Sequence, residues 1–133
     1  MTGDTLTARE LAERWTDAMN TGDPATANAM LSEDIEHHDH RLLGGGLTQG
    51  RENVGRMFAH VLEGASEVRF VTDVLEEVGE KVVLRQQATV RAHPEDGGGE
   101  GEVEMFLTVH RRDNLLTRIE AFDDEPSARA ALT

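Results

Sequence analysis

Every long stretch of helical periodicity in this chain lies before Gly64, and every long strand-like run lies after it. This segregation constrains the fold more than any other feature, because consecutive antiparallel strands must cover their apolar face with helices made elsewhere in the chain. Between residues 5 and 20, Leu6, Leu11, Trp15, Ala18 and Met19 recur at helical spacing, and Thr7 stands three residues before Glu10 as a capping box. The breakers Asn20-Thr21-Gly22-Asp23-Pro24 end this helix and start a second, short one running from about Pro24 to Leu31. Ser32-Glu33-Asp34 is predicted to turn the chain, Ile35 to Leu42 reads as extended, and Gly44-Gly45-Gly46 marks a flexible loop. A third helix is predicted from Arg51 to Leu62. Four strands follow, Val68 to Val78, Lys81 to His93, Gly101 to Arg111 and Leu115 to Phe122, with hairpin-forming breaks between them. The expected architecture is α+β, with three N-terminal helices packed on a curved, mostly antiparallel sheet that is mixed only near Ile35.

The length, 133 residues, fits one domain spanning 1–133 with a real core. No apolar run approaches a membrane span and the first ten residues carry no apolar signal core, so a cytoplasmic protein is expected. Cysteine is absent, which removes disulfides, thiolate metal sites and a cysteine nucleophile. Thirteen Lys and Arg against 26 Asp and Glu give a net charge of -13, which repels nucleic acid and anionic membrane surfaces. Any chemistry must therefore come from His, Asp, Glu, Arg or hydroxyl groups acting on a small molecule.

Four segments carry a family resemblance: the run from Trp15 to Asp23, Met30-Leu31-Ser32-Glu33-Asp34-Ile35, Gly50-Arg51-Glu52-Asn53-Val54, and the closing run from Leu116 to Asp123. Together they resemble the nuclear-transport-factor-2-like superfamily, the cone-shaped fold shared by SnoaL-like polyketide cyclases, ketosteroid isomerases and limonene-epoxide hydrolases. The resemblance covers nearly the whole chain and is specific for fold rather than activity. The stretch Asp39-His40-Arg41-Leu42-Leu43-Gly44 is also similar to SnoaL-like domains that accompany actinobacterial ATPases and regulators, which implies a binding or regulatory role.

The resemblance to ketosteroid isomerases places Asp39 where their base sits. The phenol donor of those enzymes is replaced by Trp15 and their second acid falls near Phe106, so the isomerase oxyanion hole is missing here. In the comparison with epoxide hydrolases, Arg85-Gln86-Gln87 resembles the Arg-x-Asp strand motif and Glu120 falls where the final-strand aspartate lies. Gln87 breaks that pattern, because an amide cannot donate the proton that opens an epoxide. Period-two spacing puts His37 with Asp39, Arg85 with Gln87, and Arg118 with Glu120 on shared strand faces. The expected catalytic set is Asp39 or Glu120 as base, with Arg85 and His37 as donors, suited to an aldol cyclisation or related proton transfer. Two alternatives stand beside it. Arg85 and Glu120 form a cross-strand ion pair, or the more apolar face of Val82, Leu84, Gln86, Ala88 and Val90 looks inward and turns Arg85 and Gln87 away.

Trp15, Met19, Met57, Phe58, Phe106 and Phe122, with Gln87 and Arg118, complete the expected pocket, although residues at such spacing also build ordinary cores. Alternation splits His37-His38-Asp39-His40 between two faces, which leaves at most two metal ligands, so neither a metal nor another cofactor is assigned. His110, beside Arg111-Arg112, is expected at the surface. The glycine run at 44–46 is either a lid at the pocket mouth or a passive connection. The resemblance also implies a homodimer through the sheet's outer face, with Val71, Val83 and Thr108 as candidates. The function expected is an acid–base enzyme on an apolar oxygenated substrate. The alternatives are a non-catalytic ligand-binding or regulatory module and a structural dimerisation domain.

Overall fold

The computed structural model describes residues 5–42 and 44–132. In chain order the elements are α1 (Ala8–Asn20), α2 (Pro24–Ala29), β1 (Leu31–Asp39), β2 (Gly46–Gln49), α3 (Arg51–Glu63), β3 (Glu67–Val78), β4 (Lys81–Arg91), β5 (Glu100–Arg112), β6 (Leu115–Phe122) and α4 (Glu125–Ala130), with a short 3₁₀ turn at Pro94–Asp96. The α+β order is as expected. The helix α1 begins at Ala8 because Thr7 is its cap: the Glu10 amide donates to Thr7 Oγ1 at 3.1 Å and the Thr7 amide donates to Glu10 Oε1 at 3.0 Å. Asp23 caps α2 in the same way, accepting from the Thr26 amide at 3.1 Å, and Pro24 supplies the first helical turn.

The six strands form one sheet in the order β2-β1-β6-β5-β4-β3. Every pairing is antiparallel except that of β1 with β6. Ser32-Glu33-Asp34 does not turn the chain but lies inside β1, where the register with β6 shifts between Leu31 and Glu36. The shift lets exposed Glu33 and Asp34 point to solvent while Leu31 and Ile35 stay fully buried. Further register shifts, between Val74 and Glu76 in β3 and between His110 and Arg111 in β5, bend the long strands and curve the sheet. Helices α1 and α3 fill the concave side. Leu11, Trp15, Ile35, Leu84, Val109 and Ile119 are among the buried members of the shared core.

Two elements go beyond the sequence expectation. Strand β2 is only four residues long and pairs with the far half of β1. Helix α4 is capped by Asp124, which accepts from the Ser127 amide at 2.8 Å, and it packs on the outer face of β4, β5 and β6. Thr108 Oγ1 donates to the Ala128 carbonyl at 2.7 Å, and both residues are fully buried. The covering helix corrects the expected outer surface: Val83 and Thr108 are both 0% exposed, while Val71 stays 52% exposed.

The Thr108 hydroxyl is the hydrogen bond that seats α4. Thr108→Val, which keeps the shape and removes the donor, is expected to cost about 1 kcal/mol in urea unfolding. It should also speed amide exchange at residues 128–131 without disturbing α1.

Candidate functional site

Between the concave sheet and α3 lies a cavity of about 360 Å³. Its walls are mainly apolar: Phe58 and Val61 from α3, Phe70 from β3, Ala88 from β4, Met105 from β5 and Ala121 from β6. Size and lining are those of a small-molecule site. Five polar residues interrupt the apolar surface, namely His37 and Asp39 on β1, Arg41 in the following loop, Thr48 on β2 and Gln86 on β4.

His37 is 7% exposed, and its ring packs edge-on against Phe58 with centroids 5.6 Å apart. Burial lowers the pKa of the imidazole below its ordinary value, against the opposing pull of Asp39, so the ring is neutral at pH 7. Its Nδ1 is buried without a hydrogen-bond partner. Gln86 is 4% exposed, and its Nε2 is likewise buried and unpartnered. Leaving such groups unpaired in an apolar wall costs on the order of 1–3 kcal/mol each.

Asp39 is engaged differently. Arg41 Nε donates to its Oδ1 at 2.9 Å and Arg41 Nη2 to its Oδ2 at 2.8 Å, a bidentate pair. The amides of Arg41 and Gly45 donate to the same carboxylate. These hydrogen bonds, with Arg41 the largest contributor, lower the pKa of Asp39 from 3.8 to about 2. The loop after β1 is wound tightly around this anion, and a Cβ on Gly44 would overlap its oxygens. Gly45 and Gly46 line the cavity, so the glycine run stands at its mouth. A carboxylate of this acidity is a weak base, which counts against Asp39 as the proton-abstracting group.

The other expected catalytic residues lie outside the cavity. Period-two alternation in β4 sends Val82, Leu84, Gln86 and Ala88 inward because they are the more apolar set, and this turns Arg85 and Gln87 outward. There Arg85 pairs with Asp73 at 2.9 Å and Glu104 at 3.9 Å, and Gln87 Nε2 donates to Glu104 at 3.5 Å. In β6 buried Ile119 and Ala121 face inward, which places Arg118, Glu120 and Phe122 on the outer side. Glu120 meets His40 at 3.0 Å, Arg118 at 3.3 Å and His110 at 3.7 Å. Burial acts to raise its pKa, but the bonds from His40 and Arg118 outweigh burial and hold it below the ordinary value. Asp39, Arg85 and Glu120 therefore do not converge, and no Arg85–Glu120 pair forms.

Phe106 sits opposite Arg85 and Phe122 in the ladder, on the outer face, and Phe122 stacks on His40 at 4.8 Å. Trp15 and Met19 line a separate space of about 10 Å³ between the helices, too small to hold more than one water. Trp15 supports the cavity only indirectly, edge-on to Phe58 at 5.3 Å. Met57 and Phe58 do line the cavity. His110 is half-buried beside Glu120 rather than solvent-exposed. Among the described residues no group of three or more His, Asp or Glu side chains is arranged to hold a metal, and no helix is long and apolar enough to cross a membrane. Arg41, Thr48 and Gln86 are the polar cavity residues that the sequence did not single out. The only available signal for Gln86 was a single amide within the apolar set of β4.

Residues 12–119 match the SnoaL-like domain family. A comparison with curated proteins gives no match. Solved structures share the fold at low identity. TerC, co-crystallised with polyporic acid, superposes with a TM-score of 0.72 at 19% identity, covering 92% of this chain and 95% of its own. A candidate polyketide cyclase from Pseudomonas putida KT2440 gives 0.72 at 17% identity over 95% and 97%. A protein from Catenulispora acidiphila DSM 44928 with a ketosteroid isomerase-like fold, in complex with trimethylamine, gives 0.71 at 18% identity over 91% and 90%.

The depressed pKa of Asp39 fixes the sign of a pH effect. The folded value lies below the unfolded one, so the clamp stabilises fully above about pH 4 and the contribution is lost as pH falls towards about 2. With the partly solvated Arg41 discounted, Asp39→Asn is expected to lower stability by roughly 1–2 kcal/mol at pH 7. In urea unfolding across pH, the gap between variant and wild type should close between pH 4 and 2.

Proposed function

The chain belongs to the SnoaL-like domain family, and on that premise we propose that its cavity binds a small, apolar, oxygenated molecule and that His37 moves a proton on it. The observation that carries this reading is a neutral imidazole, buried in an apolar cavity, with one ring nitrogen unpartnered. A neutral ring accepts a proton at one nitrogen, and its lowered pKa keeps it in that form through physiological pH. Two structural neighbours were crystallised with small molecules, polyporic acid in one and trimethylamine in the other, which supports a small-molecule ligand for this fold. Asp39 is then a positioning group: with Arg41 it closes the wall beside His37. Arg85 and Glu120 take no part in this chemistry, because they lie across the sheet from the cavity. The reaction class that fits is proton transfer next to a carbonyl, as in a cyclisation or isomerisation.

The second reading is a non-catalytic binding module, favoured by the clamp on Asp39, which leaves His37 without a second free acid. One experiment separates the two. In D2O the wild-type protein is expected to accelerate exchange of the acidic C1 protons of 2-tetralone, followed by proton NMR. His37→Gln should lose about a hundredfold or more of that rate while still binding the ketone. The rate should fall as pH drops and the imidazole protonates, with its midpoint below the ordinary histidine value of 6.5 because burial lowers the pKa. Binding without acceleration would establish the binding module instead.

The same proposal places the protein in the cytosol, without a nucleic-acid partner, as a homodimer through the part of the outer sheet face that α4 leaves open. Exposed Val71 supports the dimer, and the net charge of -13 supports the lack of a nucleic-acid partner. Light scattering at micromolar concentration should report about twice 14.6 kDa, and a monomer would overturn the dimer.

A further inference from the structure

Two side chains that each hold one buried, unpartnered nitrogen line the cavity from different strands. His37 projects from β1 and Gln86 from β4, and two strands, β6 and β5, lie between them. Three inter-strand steps of about 4.8 Å amount to roughly 14 Å along the sheet. Curvature of the sheet and the inward reach of both side chains shorten the gap across the cavity. A single oxygen atom cannot serve both groups, whereas a fused bicycle with a hydrogen bond at each end has the length to do so.

The charges in the wall constrain the ligand further. Asp39 and Arg41 neutralise one another through a bidentate pair, and among the described residues no other ionised side chain lines the cavity. An anionic ligand would have to share Arg41 with Asp39 and lie beside that second negative charge in a mainly apolar wall, a costly arrangement. A cationic one would face the reverse arrangement.

We propose that the cavity selects a neutral, flat ligand carrying two oxygen functions at opposite ends, one hydrogen-bonded by His37 and the other by the side-chain amide of Gln86. Gln86 is then the specificity-determining residue. Turning of the Gln86 amide about its last side-chain bond brings the unpartnered Nε2 to a ligand carbonyl, while His37, holding one donor and one acceptor nitrogen, meets a hydroxyl or a second carbonyl. The inference rests on the cavity being the ligand site, as proposed above, and adds which molecules it prefers. A site built to hydrogen-bond an oxygen rejects the analogue that lacks it, because its own polar group is then left unpaired.

The test uses four neutral bicycles of one size and one anion: 6-hydroxy-1-tetralone, 1-tetralone, 5,6,7,8-tetrahydro-2-naphthol, tetralin and 2-naphthoate. Affinities are measured by NMR titration of the ¹⁵N-labelled protein at pH 6.5, where the phenols are neutral. The hydroxyketone is expected to bind about tenfold more tightly than either compound with one oxygen. The side-chain amide resonances of Gln86 should move with the two ketones and not with the naphthol or tetralin. Gln86→Leu should cost the hydroxyketone about tenfold and leave the naphthol unchanged. Gln86→Met, which keeps the length of the side chain but removes the donor, should repeat that loss and guards against a packing artefact in the leucine variant. Equal affinity for all four neutral bicycles, or tighter binding of 2-naphthoate, would overturn this proposal while leaving the cavity as the ligand site. If no bicycle binds and no cavity resonance moves, both the selectivity and the underlying reading are overturned.

Discussion

The parallel pairing of β1 with β6 is the interaction on which the cavity depends. It joins the segment after α2 to the last strand of the chain, in the register His37 opposite Ile119 and Asp39 opposite Ala121. Only with that pairing do His37 and Asp39 point into the concave space that β3, β4 and β5 enclose. The junction is reinforced at both ends: the Leu116 amide donates to the Met30 carbonyl at 2.8 Å, and the His40 amide donates to the Ala121 carbonyl at 2.8 Å. Beyond the strands, the Leu42 amide reaches the Asp123 carboxylate at 2.8 Å. A long-range contact of this kind closes late in folding, because most of the chain must be ordered before its two halves meet.

Charge is handled separately on the two sides of the sheet. Inside, one aspartate and one arginine two residues apart cancel each other within a tight loop. Outside, Glu36, His38, His40, His110, Arg118 and Glu120 form a chain of contacts in which each carboxylate meets both histidine and arginine. The sheet thus keeps ionisable groups abundant near β1 and β6 while the cavity remains nearly uncharged. Seen this way, the glycine at 44 follows from electrostatics: the loop closes around the Asp39 carboxylate, and there is no room for a side chain where it does so.

Periodicity and caps made the helices and the four long strands legible, since Thr7 with Glu10, Asp23 with Pro24, and the hairpin breaks are local signals read without tertiary context. Strand β2 was not legible because four residues, two of them polar, carry no measurable alternation. Helix α4 had its signal in Asp124 and Pro126, next to a run already read as the end of the sheet. For the site, the decisive unknown was parity. The sequence allowed either face of β4 to look inward, and the difference of one residue exchanges Arg85 for Gln86. The motif resemblances favoured the charged face, whereas the hydrophobic set Val82, Leu84, Ala88 and Val90 chose the other. Arg41 was hidden for a different reason, since its role comes from the loop conformation rather than from any strand or helix period.

Three rings run in series from the core to the ligand space: Trp15 touches Phe58 edge-on, and Phe58 touches His37 edge-on. Trp15 is the only tryptophan in the chain and is 1% exposed. Its indole is therefore shielded from water yet one aromatic contact from the cavity wall. With no tyrosine in the sequence to compete for near-ultraviolet absorption, the protein contains its own spectroscopic gauge. Any movement of Phe58 would change the environment of that single chromophore, which makes tryptophan fluorescence a label-free probe of the cavity wall.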